Sequence, residues 1–102
     1  MAIYVTSDAH GHVRALDEAL SKISLTSDDT LYVLGDMIDR GPDPVGVIKL
    51  VRSLPNARVL KGNHEQIMLD AIIGQDPLDA ETWDINGGWT TREQLNDMEF
   101  EA

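Results

Sequence analysis

The sequence contains no cysteine, few aromatic residues and no long apolar segment. Without cysteine, disulfides and thiolate metal sites are excluded. No stretch is long or apolar enough to span a bilayer, and residues 1–6 lack the charged-then-apolar pattern of a secretory signal. At 102 residues the chain has room for one domain at most. These features predict a cytoplasmic protein without a membrane partner.

Basic side chains are also scarce, since eight of them stand against eighteen acidic ones and leave a net charge of −10. This balance argues against a nucleic-acid partner bound through a basic surface. The excess is greatest from Asp70 onward, where Arg92 is the only base among nine acids. Such a surface repels anionic substrates unless bound cations reverse the local field. The charge is therefore a first indication of metal.

Three short apolar segments, each followed by a helical pattern, predict the fold. The predicted strands are residues 2–6, 30–34 and 58–61. Asp43 and Pro44 suit the N-cap and first position of the second helix. The predicted apolar stripes are Val13, Leu16, Ala19, Leu20 and Ile23, then Val45, Ile48, Val51 and Leu54, then Ile67, Met68, Ala71 and Ile72. Short crossover helices predict an α/β fold with a mostly parallel sheet.

The C-terminal quarter of the chain gives weaker signals. Residues 75–86 are interpreted as an acidic loop with one helical turn at most, and Gly87-Gly88 interrupts regular structure. Thr90 or Thr91 is expected to cap a final short helix that ends near Asn96. Trp83 and Trp89 are expected to pack rather than to stack on bases, because no basic groove accompanies them.

Polar residues follow each predicted strand, where ligands gather in parallel sheets. Asp8 and His10 can converge on one ion, and their donor types suit Mn, Fe or Zn better than Ca or Mg. Asp36 can bridge two ions about 3.5–4 Å apart, and Asn63 offers an oxygen to the second. Taken singly, the aspartates also fit turn positions and His10 an ordinary surface histidine. The coincidence at three strand ends favours the metal site.

Three motifs carry a resemblance to a known family. They are Asp8-x-His10-Gly11, Gly35-Asp36-x-x-Asp39-Arg40-Gly41 and Gly62-Asn63-His64-Glu65. Together they resemble the N-terminal signatures of the calcineurin-like metallophosphoesterases. The branch that they resemble most holds the serine/threonine protein phosphatases and the symmetrical diadenosine tetraphosphatases. Trp83-x-x-Asn86-Gly87-Gly88-x-x-Thr91 is similar to a stretch in bacterial members of that branch.

The resemblance implies a role for each motif residue. Asp8 and His10 would bind the first metal ion, Asp36 would bridge both ions, and Asn63 would bind the second. His64 would protonate the leaving group, Asp39 would orient it, and Arg40 would bind the phosphate. Physical chemistry supports the last two roles. A neighbouring carboxylate favours the protonated form of a histidine, and the planar guanidinium of arginine matches the geometry of phosphate oxygens. The alternative for His64 is that its position at a helix N-terminus weakens it as an acid.

The sequence departs from the family pattern at three points. Ser7 replaces the usual glycine before the first aspartate, and Lys61 replaces an arginine frequent in protein phosphatases. The family also takes further metal ligands, including at least two histidines, from a C-terminal half with a second sheet. Here the histidines are His10, His12 and His64, and His12 is given no ligand role. The second metal site should therefore be the weaker one.

The resemblance thus implies the N-terminal βαβαβα half of an αββα sandwich. Residues 1–102 would form a single, incomplete domain, with a core over 1–74 and an acidic loop and short helix over 75–102. The implied cofactors are two divalent ions, Mn first and Fe or Zn as alternatives, whose activated hydroxide attacks phosphorus.

The implied activity is hydrolysis of phosphate monoesters, as in serine/threonine phosphatases, on a phosphorylated protein or small phosphoester. Dinucleoside polyphosphate hydrolysis is the alternative within the enzyme class. A non-catalytic remnant or interaction module is the alternative outside it, with a homo-oligomer formed through the uncovered sheet face.

Overall fold

A parallel sheet positions the polar strand ends. The computed structural model describes residues 1–74 and 76–97, with strands β1 (Ile3–Thr6), β2 (Thr30–Val33) and β3 (Ala57–Val59). Both outer strands pair with β2 in parallel, so the strand order is β1-β2-β3. The predicted α/β fold with a parallel sheet is confirmed; β1 and β2 lie within one residue of their expected bounds, and β3 begins one residue and ends two residues earlier than expected.

Within residues 1–74 and 76–97, a helix follows each strand and two more come after the third: α1 (Val13–Ser21), α2 (Pro44–Arg52), α3 (Asn63–Ile73), α4 (Pro77–Trp83) and α5 (Trp89–Asp97). Helix α2 begins as predicted, because the Asp43 carboxylate accepts the Gly46 N–H at 2.9 Å and Pro44 is its first residue. Among the residues described, no helix has the length and apolarity required to cross a bilayer.

The core lies on one face of the sheet. Leu31 and Val33 of β2 are buried there against Leu16 of α1 and Val47 and Val51 of α2. The stripe predicted for α2 omitted Val47, which is its most deeply buried residue.

The opposite face of the sheet is open. Side chains alternate along β1, so Tyr4 packs against the core while Ile3 and Val5 point away from it. Ile3 and Val5 are 64% and 61% exposed. We call the surface formed by Ile3 and Val5 with their β2 neighbours Thr30 and Tyr32 the open sheet face.

The prediction of an acidic loop over residues 75–86 was wrong for Pro77–Trp83, because these residues form helix α4. The Asp76 carboxylate accepts the Leu78 N–H at 3.0 Å, and Pro77 is the first helical residue. This is the same Asp-Pro start that opens α2. A wide turn over Asp84–Gly88 then breaks at Gly87, whose φ of +89° interrupts the helix as predicted.

Two further helix predictions need correction. The stripe predicted for α3 fails at its C-terminal end, where Ile72 is exposed although Met68 packs against the core. Helix α3 packs mainly on α4, so its apolar residues do not all face the sheet. Helix α5 begins at Trp89, and Thr91 lies inside it rather than capping it.

Candidate metal and catalytic site

The loops that follow β1 and β2 are joined by backbone hydrogen bonds. Asp8 N–H donates to the Gly35 carbonyl at 3.3 Å, and His10 N–H donates to the Asp36 carbonyl at 3.0 Å. Because parallel strands end at the same edge of a sheet, these bonds place the polar residues of both loops side by side.

Asp8, His10 and Asp36 converge as a potential metal-binding group. Each offers a ligand atom, and these three atoms lie within 4.8 Å of one another. His10 Nδ1 is 2.8 Å from the Ile38 carbonyl, which can only accept, so the proton is on Nδ1. Its Nε2 is then free to bind metal and lies 3.5 Å from Asp8 Oδ1. This donor set fits a divalent cation.

Ser7, which departs from the family pattern, acts on the first of these carboxylates. Its hydroxyl donates to Asp8 Oδ2 at 2.7 Å. This hydrogen bond is the largest cause that holds the pKa of Asp8 below its usual value of 3.8, and the neighbouring His10 side chain lowers it further. Desolvation opposes both but does not prevail. Asp8 is therefore ionised near neutral pH, as a metal ligand must be.

The start of α3 is held against Asp36. The His64 N–H donates to Asp36 Oδ1 at 2.8 Å. On the other side of Asn63, a Cβ added to Gly62 would lie 2.7 Å from the same oxygen, so this approach requires glycine. Asn63 itself is exposed as the first residue of α3, between two residues that contact Asp36. Its role as a ligand of a second ion stays a prediction.

His64 and Asp39 form a buried pair beside the metal-binding group. His64 Nδ1 lies 2.8 Å from Asp39 Oδ2, and Asp39 is 0% exposed. The His64 ring meets the His10 ring edge-on, with centroids 4.6 Å apart. The predicted neighbours therefore come together, while their catalytic roles remain a prediction.

Arg40 lies at the rim, where its side chain is available to a ligand. It is exposed, and its Nε donates to the Asn86 carbonyl at 3.3 Å. Its backbone N–H donates to the Gly87 carbonyl at 2.9 Å. Both contacts tie the arginine to the C-terminal segment. Its role in binding phosphate stays a prediction.

Glu65 has a structural role that sequence reasoning missed. Its Oε1 accepts the N–H groups of Asp36 at 2.6 Å and Gly62 at 2.9 Å, and its Oε2 accepts the Met37 N–H at 2.9 Å. One carboxylate thus joins the loop after β2 to the start of α3. The available signal was the glutamate at the third position of the helix, which is typical of a capping box.

Trp83 and Thr91 were named from the sequence, but their contact with the site was missed: both donate hydrogen bonds to the buried carboxylate of Asp39. Trp83 is buried, as expected of a packing residue, whereas Trp89 is 50% exposed, and its packing role stays a prediction. His12 is exposed at the start of α1 and is not among the three residues of the metal-binding group.

Curated relatives of the chain are symmetrical bis(5'-nucleosyl)-tetraphosphatases. The protein of Pectobacterium carotovorum subsp. carotovorum is 38% identical over 76 residues, which cover 72% of this chain and 27% of that protein. The protein of Proteus mirabilis is 38% identical over 71 residues, which cover 68% and 26%. The chain therefore spans about a quarter of the length of these relatives.

A solved structure and a family model agree with these relatives. A crystal structure provisionally assigned as a diadenosine tetraphosphatase is 32% identical, with a TM-score of 0.54, and the match covers 79% of this chain and 40% of that one. The fold is consistent with the N-terminal half of a metallophosphoesterase. The model of the calcineurin-like phosphoesterase family matches residues 1–100. The chain belongs to the calcineurin-like phosphoesterase family.

Proposed function

We propose that this chain contributes to a metal-dependent site that hydrolyses dinucleoside polyphosphates or similar small phosphoesters. The names of its relatives favour this substrate class over the phosphoproteins that the first resemblance suggested. Lys61 points the same way, since it stands where the protein phosphatases frequently have arginine and it lacks the bidentate fork.

The observation that carries the proposal is the convergence of two chemical groupings at one edge of the sheet. Asp8, His10 and Asp36 offer ligand atoms within 4.8 Å of one another. The buried His64–Asp39 pair adjoins them through the contact between the His10 and His64 rings. Metal ligands next to a histidine held by a carboxylate are what phosphoester hydrolysis requires.

The metal-binding residues have a defined share in this chemistry. Asp8, His10 and Asp36 would hold divalent cations, with Mn favoured over Fe or Zn and Asn63 assisting at a second position. Such cations, when bound, offset the charge on phosphate oxygens and activate water. The chain's own part is to present ionised Asp8 and the free Nε2 of His10 without rearrangement.

The remaining residues act on the phosphoester itself. Arg40, exposed at the rim, binds phosphate oxygens through its planar fork. His64 keeps a proton on Nδ1 through Asp39, so its Nε2 can carry a second proton and release it to the departing oxygen. The burial of Asp39 keeps water from competing for that hydrogen bond.

The test compares the wild-type chain with Asp36→Asn in the presence of Mn²⁺. The substrates are diadenosine tetraphosphate, p-nitrophenyl phosphate and a phosphoserine peptide. Asp28→Asn, an exposed change of the same type in the loop before β2, is the matched control. Loss of a direct ligand should reduce the rate more than about a hundredfold, which is the upper end for outer-shell partners.

Two outcomes would contradict the proposal. Equal rates for the wild type and Asp36→Asn would remove the enzymatic function from this site. A clear preference for the phosphoserine peptide would overturn the substrate class while retaining the phosphoesterase activity.

A second candidate function, an interaction module, is favoured by the open sheet face. Ile3 and Val5 form an exposed apolar pair on that face, and contiguous apolar surface frequently marks association sites. A homo-oligomer through this face is the expected form. A monodisperse monomer by light scattering would count against this second function.

A further inference from the structure

We propose that Trp83 and Thr91 are positioning residues that fix the Asp39 carboxylate and, through it, the orientation of His64. The catalytic consequence rests on the proposed phosphoesterase function, whereas the positioning itself does not. The proposal assigns a role to the conspicuous motif Trp83-x-x-Asn86-Gly87-Gly88-x-x-Thr91, which the metal chemistry leaves unexplained.

Thr91 holds Asp39 at two points. Its hydroxyl donates to Asp39 Oδ1 at 2.7 Å and accepts the Asp39 backbone N–H at 2.9 Å. The carboxylate is thereby tied to its own backbone, which has a φ of +72°. Thr91 is 1% exposed, so water cannot readily replace its hydroxyl. One hydroxyl thus restrains both the backbone and the side chain of Asp39.

Trp83 supplies the second restraint. Its indole N–H donates to the same Oδ1 at 3.0 Å, and Trp83 is 4% exposed. With Oδ1 occupied by two donors, Oδ2 is the oxygen that remains for His64 Nδ1. A fully buried carboxylate needs such donors to stay charged. The two side chains therefore decide which oxygen faces His64 and in what direction.

Gly87 and Gly88, which lie between Trp83 and Thr91, leave the space that this arrangement needs. A Cβ added to Gly88 would lie 2.1 Å from Trp83 Cδ1, so the indole occupies the space that a side chain at that position would need. A Cβ added to Gly87 would lie 2.6 Å from Arg40 Cγ, and the Gly87 carbonyl accepts the Arg40 N–H. Residues 83–91 thus contact both Asp39 and Arg40. These contacts explain the spacing of tryptophan, glycines and threonine in the motif.

The experiment observes the His64 Nδ1 proton by NMR in the full chain labelled with ¹⁵N-histidine. The chain has three histidines, and a His64→Gln variant assigns the resonance. The wild type should show a downfield Nδ1 proton that exchanges slowly with solvent. Thr91→Val, which keeps the shape but loses the hydroxyl, should lose or broaden this signal, whereas Thr91→Ser should retain it. Trp83→Phe should weaken the signal in the same direction.

Thr90→Val is the matched control, because the Thr90 hydroxyl bonds the Gly87 carbonyl and does not contact Asp39. Its His64 signal should equal that of the wild type. In activity assays with Mn²⁺ and diadenosine tetraphosphate, Thr91→Val should lower kcat about tenfold with little change in KM. Thr91→Ser should restore most of that loss.

The outcomes separate the two proposals. An unchanged His64 signal in both Thr91→Val and Trp83→Phe overturns the positioning role, even if the variants are less stable. Equal loss in Thr90→Val overturns it as well, because the effect is then a general loosening of α5. Should Thr91→Val fail to fold, Trp83→Phe against the wild type decides. A chain without activity in which the signal still depends on Thr91 supports the positioning role and contradicts the proposed function.

Discussion

At the scale of single residues, the candidate site coincides with the backbone strain of the molecule. Within the part of the chain that the structure describes, the non-glycine residues with positive φ are Asp8, His10, Asp36, Asp39 and Arg40. All five are among the residues predicted for metal binding or catalysis. Left-handed backbone costs such residues roughly 1–2 kcal/mol each. The sequence motif identified these residues, but it contained no indication of their strained conformation.

This strain gives a prediction for Arg40, whose φ is +68°. Arg40→Gly and Arg40→Ala remove the same guanidinium, but glycine alone adopts this φ without cost. Arg40→Gly should therefore be more stable than Arg40→Ala by about 1 kcal/mol. Both variants should lose most of the hydrolytic rate. Urea unfolding of the pair measures the difference, and equal stabilities would show that the backbone at Arg40 is not strained.

At the scale of elements, the sequence carried signals for local chemistry, although one of them was overlooked, and none for the contacts that packing decides. The Asp43-Pro44 start of α2 was predicted because its hydrogen bond lies within the helix. The equivalent Asp76-Pro77 start of α4 was overlooked behind the acidic composition of that segment. Thr91 was misplaced as a cap because its true partner, Asp39, is 52 residues away. Contacts of that range leave no local periodicity in the sequence.

Asp29 provides a test at this scale, since it joins the start of β1 to the loop before β2. Its carboxylate accepts the Thr26 N–H at 2.9 Å and the Ala2 N–H at 2.8 Å. These two backbone hydrogen bonds hold the pKa of Asp29 below its usual value of 3.8, and the bond from Thr26 has the larger effect. A depressed folded-state pKa contributes stability above the unfolded-state pKa, and this contribution is lost as pH falls through the folded-state pKa.

We therefore expect Asp29→Asn to be less stable than the wild type at neutral pH. The difference should shrink as pH falls below about 4, where the unfolded carboxyl protonates first. Urea unfolding across a pH series measures it, with the exposed Asp28→Asn as control. A gap that is as wide in acid as at neutral pH would contradict the role assigned to the Asp29 charge.

At the scale of the whole molecule, the site is built from one sheet edge, and the opposite sheet face is open. Asp8, His10 and Asp36 come from the loops after β1 and β2, so the group that could hold a first metal ion consists of residues that the sequence could identify. For the predicted second position, residues 1–74 and 76–97 offer the shared Asp36 and the predicted ligand Asn63. The long-range contacts of Glu65, Trp83 and Thr91 brace the site, and no motif spacing predicted them.

This asymmetry predicts how the chain takes up metal. Isothermal titration with Mn²⁺ should give close to one ion per chain. The predicted second position has too few protein ligands to bind a second ion tightly. At a free concentration of about 100 times Kd, one bound ion adds about 2.7 kcal/mol to the free energy of unfolding. For a domain of this size that amounts to a rise in Tm of roughly 10–20 °C.

The rise should vanish in Asp36→Asn and persist in Asp28→Asn, because only Asp36 belongs to the metal-binding group. Mg²⁺ should give a smaller rise, since the imidazole of His10 suits Mn²⁺ better than a cation that prefers oxygen alone. Two ions bound with equal affinity would show that Asn63 and its surroundings form a complete second site. Equal rises in the wild type and Asp36→Asn would place the ion elsewhere on this acidic chain, and the convergence at the sheet edge would then have no bearing on metal.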